Sequence, residues 1–154
     1  MTPAINLVKK QKLAHVVHEY VHDAASTSYG LEASEKLGVA PQQVFKTLVI
    51  RLDAKTLAVA VLPVSEQLSM KQAAKALGAK KAAMASQVDV ERSTGYVLGG
   101  VSPLGQKKLL ATVIDESALQ FSTVYISAGR RGLELELAPE DLRSITRGVF
   151  FKVV

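Results

Sequence analysis

The chain has 154 residues, a hydrophobic fraction of 48% and a formal net charge of +5, so we expect one globular domain spanning residues 1–154. It contains no cysteine, which excludes disulfides, thiolate metal sites and a cysteine nucleophile supplied by the protein. No apolar run approaches the roughly 20 residues that cross a bilayer, and the charged N-terminus begins no signal-peptide core. We therefore expect a cytoplasmic protein without a membrane partner.

Helix and strand patterns alternate along the first half of the chain. Capping residues and runs of β-branched residues predict, in order, a helix begun by Thr2 and Pro3, a strand at 15–21, a helix at 31–37 ended by Gly38, and strands at 44–52 and 57–64. Residues 53–56 are predicted to turn between the last two strands.

The second half continues the alternation. It predicts capped helices after Ser69 and Ser86 that Gly78 and Gly95 end, strands at 112–114, 123–127 and 133–137, a five-residue turn at 128–132, and a helix from Pro139. Many short strands with few helices indicate a mixed α/β fold with a curved, barrel-like sheet. In the last predicted strand, Leu133, Leu135 and Leu137 are expected to face the core, and Glu134 and Glu136 the solvent.

Lys46 lies inside the apolar strand predicted at 44–52. Because side chains alternate along a strand, it shares a face with Val44, Leu48 and Ile50. An ammonium group there either serves a function or extends to water from near a strand end, and the pattern leaves both open. In the functional interpretation, Lys46 donates to an ester, a ribose hydroxyl or a phosphate.

Residues 99–105, Gly-Gly-Val-Ser-Pro-Leu-Gly, predict a shaped loop. The loop fails the nucleophile-elbow pattern because Leu104 stands where a glycine is required, so Ser102 is not predicted to be a nucleophile. It also fails the phosphate-binding P-loop pattern because Gln106 stands where a lysine is required. Two interpretations remain: an ordinary tight turn, or a loop whose backbone N–H groups bind a carbonyl or oxyanion.

Basic residues occur in four adjacent pairs: Lys9-Lys10, Lys80-Lys81, Lys107-Lys108 and Arg130-Arg131. They fit either a polyanionic partner such as RNA or an ordinary solvated surface. Arg130 and Arg131 lie in the predicted turn at 128–132, and arginine suits phosphate recognition.

Three histidines, His15, His18 and His22, would share one face of a helix, but their neighbours favour a strand, on which His15 points away from His18. No acidic cluster completes a zinc site, so we expect no metal. Tyr20 shares the strand face of His18 and either lines a cleft or packs in the core.

Five segments together resemble the YbaK family of prolyl-tRNA editing proteins, specifically its stand-alone Cys-tRNA(Pro) deacylases. They are residues 44–48 (VFKTL), 76–81 (ALGAKK), 92–96 (RSTGY), 99–107 (GGVSPLGQK) and 129–133 (GRRGL). The similarity runs from residue 1 to the helix that begins at Pro139. The strand lysine and the G-x-x-x-P loop, here Gly99 to Pro103, are specific in combination.

The resemblance implies a mixed α/β fold whose cleft takes the aminoacylated 3′ end of a transfer RNA. It implies that Lys46 is the key functional residue. It also implies a substrate-binding set of Tyr20, Gly99, Gly100, Val101, Ser102, Pro103 and Gly129. Phosphate contacts are expected from Lys80, Lys81, Lys107, Lys108, Arg130 and Arg131. Some relatives have aspartate where Glu134 stands, which leaves the role of that carboxylate open.

The implied activity is removal of mischarged cysteine from tRNA(Pro), with Cys-tRNA(Cys) left open as a further substrate. It needs no cofactor, and the substrate's own thiol attacks the ester carbonyl. Docking on prolyl-tRNA synthetase is a further implied partnership. The residues fit this chemistry, because no Ser-His-Asp or Cys-His set is evident and an aminoacyl ester is already activated. Two alternatives stay open: editing of another small amino acid such as alanine, and a non-catalytic module that binds nucleic acid or protein.

Overall fold

The structure is a computed structural model that describes residues 1–26 and 28–154. Its α-helices are α1 (Pro3–Lys10), α2 (Tyr29–Leu37), α3 (Met70–Ala76), α4 (Gln87–Thr94) and α5 (Pro139–Thr146). Its strands are β1 (His15–Glu19), β2 (Phe45–Leu52), β3 (Thr56–Pro63), β4 (Ala82–Met84), β5 (Ala111–Asp115), β6 (Val124–Arg130), β7 (Leu133–Leu137) and β8 (Val149–Phe151). A 3₁₀ helix, Glu116–Gln120, follows β5.

Side-chain caps begin the helices where the sequence predicts them. The hydroxyl groups of Thr2, Ser69 and Ser86 each accept a hydrogen bond from the backbone N–H three residues later, at Ile5, Gln72 and Asp89. Gly38 and Gly95 adopt the left-handed conformation that ends α2 and α4. These predicted boundaries are confirmed.

The strands form two sheets, which confirms the mixed α/β fold and divides the expected curved sheet in two. One sheet is antiparallel, in the order β1-β7-β6. The other is mixed, in the order β4-β2-β3-β5-β8, with β3, β5 and β8 parallel to one another. A single bridge between Val44 and Tyr125 joins the two sheets in the described residues.

The main core lies between the two sheets. The leucines of β7 pack there with Val59 and Val61 of β3 and with α1 and α5. The intervening residues of β3, Ala58, Ala60 and Leu62, face the opposite way and pack under α3. Because β3 is buried on both faces, its sequence reads as a continuous apolar run.

Two expectations about the β6–β7 hairpin are wrong. The predicted turn at 128–132 is shorter, because β6 continues to Arg130, which pairs with Leu133 and leaves only Arg131 and Gly132 to turn. A bulge between Ser127 and Arg130 contains the residues of β6 that have no pairing partner on β7. The three leucines face the core as predicted, but Glu134 is buried rather than solvated.

None of the helices in residues 1–26 and 28–154 is long and apolar enough to cross a membrane.

Candidate active site

A cleft of about 440 Å³ opens where the two sheets meet. Its polar and glycine lining comes from the residue after β1, the start of α2, β2, the loop after α4, and the β6–β7 hairpin. These residues are Tyr20, Ser28, Tyr29, Gly30, Lys46, Thr47, Gly99, Ser127, Arg130, Arg131 and Glu134. The structure therefore brings Lys46 together with part of the glycine-rich loop and with the two arginines.

Lys46 stands near the start of β2, paired in register with Leu62, and its side chain is half-buried. Burial lowers the pKa of Lys46, and the negative charge of Glu66 partly offsets that effect. No carboxylate in the described residues forms an ion pair with Lys46. The cleft thus contains an ammonium group whose hydrogen bonds are free for a ligand.

The glycine-rich loop contributes two of its five predicted binding residues to the cleft. Gly99 and Val101 line it, and neither backbone N–H donates to an acceptor in the described residues. Gly100, Ser102 and Pro103 lie behind the cleft wall, where all three are buried. A Cβ atom on Gly100 would lie 2.8 Å from Arg130 Cα, and the Ser102 hydroxyl accepts from the Leu104 N–H at 3.2 Å. These three residues support the loop, and their contact with substrate stays a prediction.

Gly129 also lies outside the cleft. It occupies the β6 bulge with a φ of 114°, and a Cβ atom there would lie 2.9 Å from the ring of Tyr96 and 3.0 Å from Thr2 Cβ. Glycine at this position lets the hairpin approach the start of α1. Its contact with substrate likewise stays a prediction.

One wall of the cleft is a stack built on Arg131. The Arg131 guanidinium carbon lies 3.7 Å from the centre of the Tyr29 ring, and the guanidinium also donates to the Tyr29 hydroxyl. His22 binds Glu32 at 2.6 Å and stands within 3.5 Å of Arg131. Although burial acts to raise it, hydrogen bonds from His22 and the Asp23 N–H hold the pKa of Glu32 below its usual range.

Glu134 is the cleft residue that sequence reasoning missed. It lies opposite His18 on β1 and Ser127 on β6, and only 7% of its surface is exposed. Burial raises the pKa of Glu134 to about 8. The alternation of β7 places it on the correct side of the sheet but does not reveal that a cleft covers that side.

Thr47 supplies a second polar group that the sequence did not single out. It lines the cleft beside Lys46, and its buried hydroxyl oxygen has no hydrogen-bond partner in the part of the chain that is described. A buried hydroxyl without a hydrogen-bond partner lowers stability unless a ligand or a water molecule supplies that partner.

Tyr20 lies just beyond β1 and lines the cleft, with its backbone N–H bonded to Gly132 O. Burial and the neighbouring Glu134 raise the pKa of Tyr20.

The histidines are used in protein contacts. His15 bonds to Leu13 O, His18 to Glu136, and His22 to Glu32. No group of three or more His, Cys, Asp or Glu side chains in residues 1–26 and 28–154 is arranged to hold a metal.

Two of the basic pairs lie along the β4–α4 edge of the molecule rather than in the cleft. Lys80 and Lys81 precede β4, and both backbone N–H groups donate to Asp53 at the end of β2 opposite Lys46. That separation along β2 is roughly 20 Å, at about 3.3 Å per residue. The N–H groups of Lys107 and Lys108 bond to the last turn of α4, which leads into the loop beside the cleft.

Comparison with known proteins identifies the family. The aminoacyl-tRNA editing domain model matches residues 22–145. An Enterococcus faecalis protein named "Putative Cys-tRNA(Pro)/Cys-tRNA(Cys) deacylase EbsC" is 38% identical over 152 residues, which cover 99% of this chain and 92% of that protein. The uncharacterized Bacillus subtilis protein YwhH is 30% identical over 111 residues, which cover 72% of this chain and 70% of YwhH.

The fold is also found in solved structures. A crystal structure titled as "a putative trans-editing enzyme for prolyl tRNA synthetase" superposes with a TM-score of 0.82 at 22% identity, covering 98% of this chain and 96% of that one. The matches to the family model and to the Enterococcus protein each extend over most of the chain. This protein belongs to the aminoacyl-tRNA editing domain family.

Proposed function

We propose that this protein is a trans-editing deacylase that removes mischarged cysteine from tRNA(Pro). The observation that carries the proposal is the meeting of Lys46, Gly99, Val101 and two arginines in one cleft of an aminoacyl-tRNA editing fold. The cysteine specificity rests on similarity to the Enterococcus protein, which is named for that activity.

The reaction needs no nucleophile from the protein. The thiol sulfur of the cysteinyl group attacks its own ester carbonyl, a C–S bond forms, and the C–O bond to the ribose breaks. The thiol proton passes to the departing ribose oxygen, so cysteine leaves as a thiolactone and the tRNA leaves with a free hydroxyl. The chain contains no cysteine that could compete with this thiol.

Lys46 and the loop act by positioning and charge stabilisation. The Lys46 ammonium holds the ribose or phosphate of the terminal adenosine, and the N–H groups of Gly99 and Val101 polarise the carbonyl oxygen as negative charge develops. Holding thiol and carbonyl in a reactive orientation supplies a large part of the barrier reduction.

The RNA is held by positive charge. Arg130 and Arg131 border the cleft, where they contact phosphates near the 3′ end, and the lysine pairs along the β4–α4 edge contact more distant phosphates. Because phosphate contacts carry little sequence information, docking on prolyl-tRNA synthetase supplies the selection of tRNA(Pro).

The decisive experiment is single-turnover deacylation of tRNA(Pro) charged with cysteine, alanine or serine. We expect fastest release from Cys-tRNA(Pro), with the thiolactone as first product. Preferential release of alanine would replace cysteine by alanine as the substrate, and binding of charged tRNA without release would indicate a non-catalytic module. Release that EDTA abolishes and zinc restores would contradict the metal-free reaction.

A further inference from the structure

Glu134 is the one acid among the described lining residues of the cleft, whose other members are basic, neutral polar or apolar. Glu134 is more than nine-tenths buried, and no side chain or backbone N–H in the described residues donates to its carboxyl group. Glu136, two residues along the same strand, is satisfied by His18 at 2.8 Å and Thr123 at 2.6 Å. The carboxyl group of Glu134 is therefore left for a ligand.

We propose that Glu134 binds the free α-ammonium group of the aminoacyl ester, so that the enzyme requires this group and rejects N-acylated esters. The inference rests on the proposed function, because it assumes an aminoacyl ester in the cleft.

The charge distribution of the cleft supports this assignment. An aminoacylated 3′ end carries negative phosphates and one positive group, the α-ammonium. Lys46, Arg130 and Arg131 match the phosphates, and Glu134 matches the ammonium. Glu134 and Lys46 form no ion pair with each other, so each remains available to its own part of the substrate.

The burial of Glu134 explains why its pairing with an ammonium group distinguishes a free amine from an N-acylated one. An ionised carboxylate without a partner in this setting is costly, and burial therefore raises the pKa of Glu134 to about 8. An ammonium ligand supplies the missing charge and hydrogen bonds. An N-acyl amide supplies no positive charge, so it leaves the acid without its ionic partner.

The test uses a non-hydrolysable probe, 3′-alanylamino-3′-deoxyadenosine, and its N-acetyl derivative, with binding measured by calorimetry. We expect the wild-type protein to bind the free amine about 10- to 100-fold more tightly than the acetylated probe, the range of a charge-assisted hydrogen bond. Glu134→Gln should lose this preference. Glu134→Asp, which keeps the acid, should retain most of it.

Glu136→Gln is the matched control, because it changes the same residue type on the same strand face outside the cleft, and it should leave the preference intact. Melting curves establish that each variant folds. Equal wild-type affinity for the two probes, or an undiminished preference in folded Glu134→Gln, would overturn the inference.

The number of protons released on binding is a second measurement, and it would not change if Glu134 had only a structural role. The titratable and charged groups around Glu134 are His18, Tyr20, Lys46, Arg130, Arg131 and Glu136. Below about pH 7, where the α-ammonium is formed in solution, binding of the free amine should release about one proton from Glu134. Calorimetry in buffers of different ionisation enthalpy should detect that release in wild type and Glu136→Gln and not in Glu134→Gln.

The inference and the proposed function fail separately. If wild-type protein released no amino acid from any charged tRNA(Pro) but still preferred the free amine, the deacylase proposal would fall and the ammonium site would stand. If the protein hydrolysed Cys-tRNA(Pro) and N-acetyl-Cys-tRNA(Pro) equally well, the ammonium site would fall and the deacylase proposal would stand.

Discussion

At the scale of single residues, Lys46 carries the sharpest prediction. Replacing it with alanine should reduce single-turnover deacylation of Cys-tRNA(Pro) by about one to two orders of magnitude, the effect of losing a charged hydrogen bond. Because Lys46 is half-buried without an ion-pair partner, the melting temperature should stay level or rise. Lys71→Ala, on the exposed side of α3, is the matched control and should leave activity unchanged. Full activity in Lys46→Ala would remove it from the mechanism.

Glu134 predicts a pH dependence of stability. Its pKa is about 8 in the folded protein, above the value near 4.5 of an exposed glutamate, so the folded state holds the proton more tightly. The free energy of unfolding should therefore fall as pH rises from about 5 to 8, by up to about 1.4 kcal/mol per pH unit from this group. Denaturant unfolding at several pH values should show this slope in wild type and a flatter one in Glu134→Gln. Identical slopes would contradict the raised pKa.

Residue patterns in the sequence predicted on which face of a strand each side chain lies. They did not predict which other elements pack against that face. Lys46 was singled out because an ammonium group interrupts an apolar strand, and it lines the cleft. Glu134 was expected to be solvated because it alternates with core leucines, yet the cleft covers its face. That cover comes from β2 and the loop after α4, which are distant in sequence, so no local pattern contains the information.

At the scale of elements, local chemistry predicted helix ends better than short strands. The caps at Thr2, Ser69 and Ser86 depend on residues three positions apart and were confirmed. The three-residue strands β4 and β8 were missed, because each is too short to show alternation and exists only through pairing with β2 or β5. The β6 bulge was missed for a similar reason, since its register is set by β7.

The loop beside the cleft gives an element-scale prediction. Gly99 has a φ of 91°, and a Cβ atom there would lie 2.8 Å from Arg131 Nη2 and 2.9 Å from the Tyr29 ring. Gly99→Ala should displace the Arg131–Tyr29 stack and reduce deacylation. Gly78→Ala is the matched control, because its φ is 73° but no atom lies within 4 Å of the added Cβ. Both variants should lose about 1 kcal/mol of stability from the left-handed backbone, and only Gly99→Ala should lose activity as well. Equal activity in the two variants would show that the stack does not shape the site.

At the scale of the whole molecule, the net charge of +5 and the placement of its basic pairs predict how the protein holds RNA. Lys80 and Lys81 lie roughly 20 Å along β2 from Lys46, too far to reach the ester, and the turn that carries them is fixed by Asp53. Their contribution should therefore appear with a full tRNA and vanish with a substrate that ends at the cleft.

We expect the logarithm of tRNA affinity to fall linearly with the logarithm of salt concentration, because each phosphate contact releases counterions. Replacing Lys80 and Lys81 together by serine should make that slope shallower by about one to two, and should raise KM for Cys-tRNA(Pro) with little change in kcat. The same pair of substitutions should not affect cleavage of cysteinyl-adenosine, which reaches only the cleft. Lys9 and Lys10, exposed at the end of α1, provide a matched pair of lysines outside the β4–α4 edge. If replacing Lys9 and Lys10 by serine changed the slope as much as replacing Lys80 and Lys81, the effect would come from net charge. It would not come from phosphate contacts along the β4–α4 edge. If affinity did not respond to salt at all, phosphate contacts would not be the basis of binding.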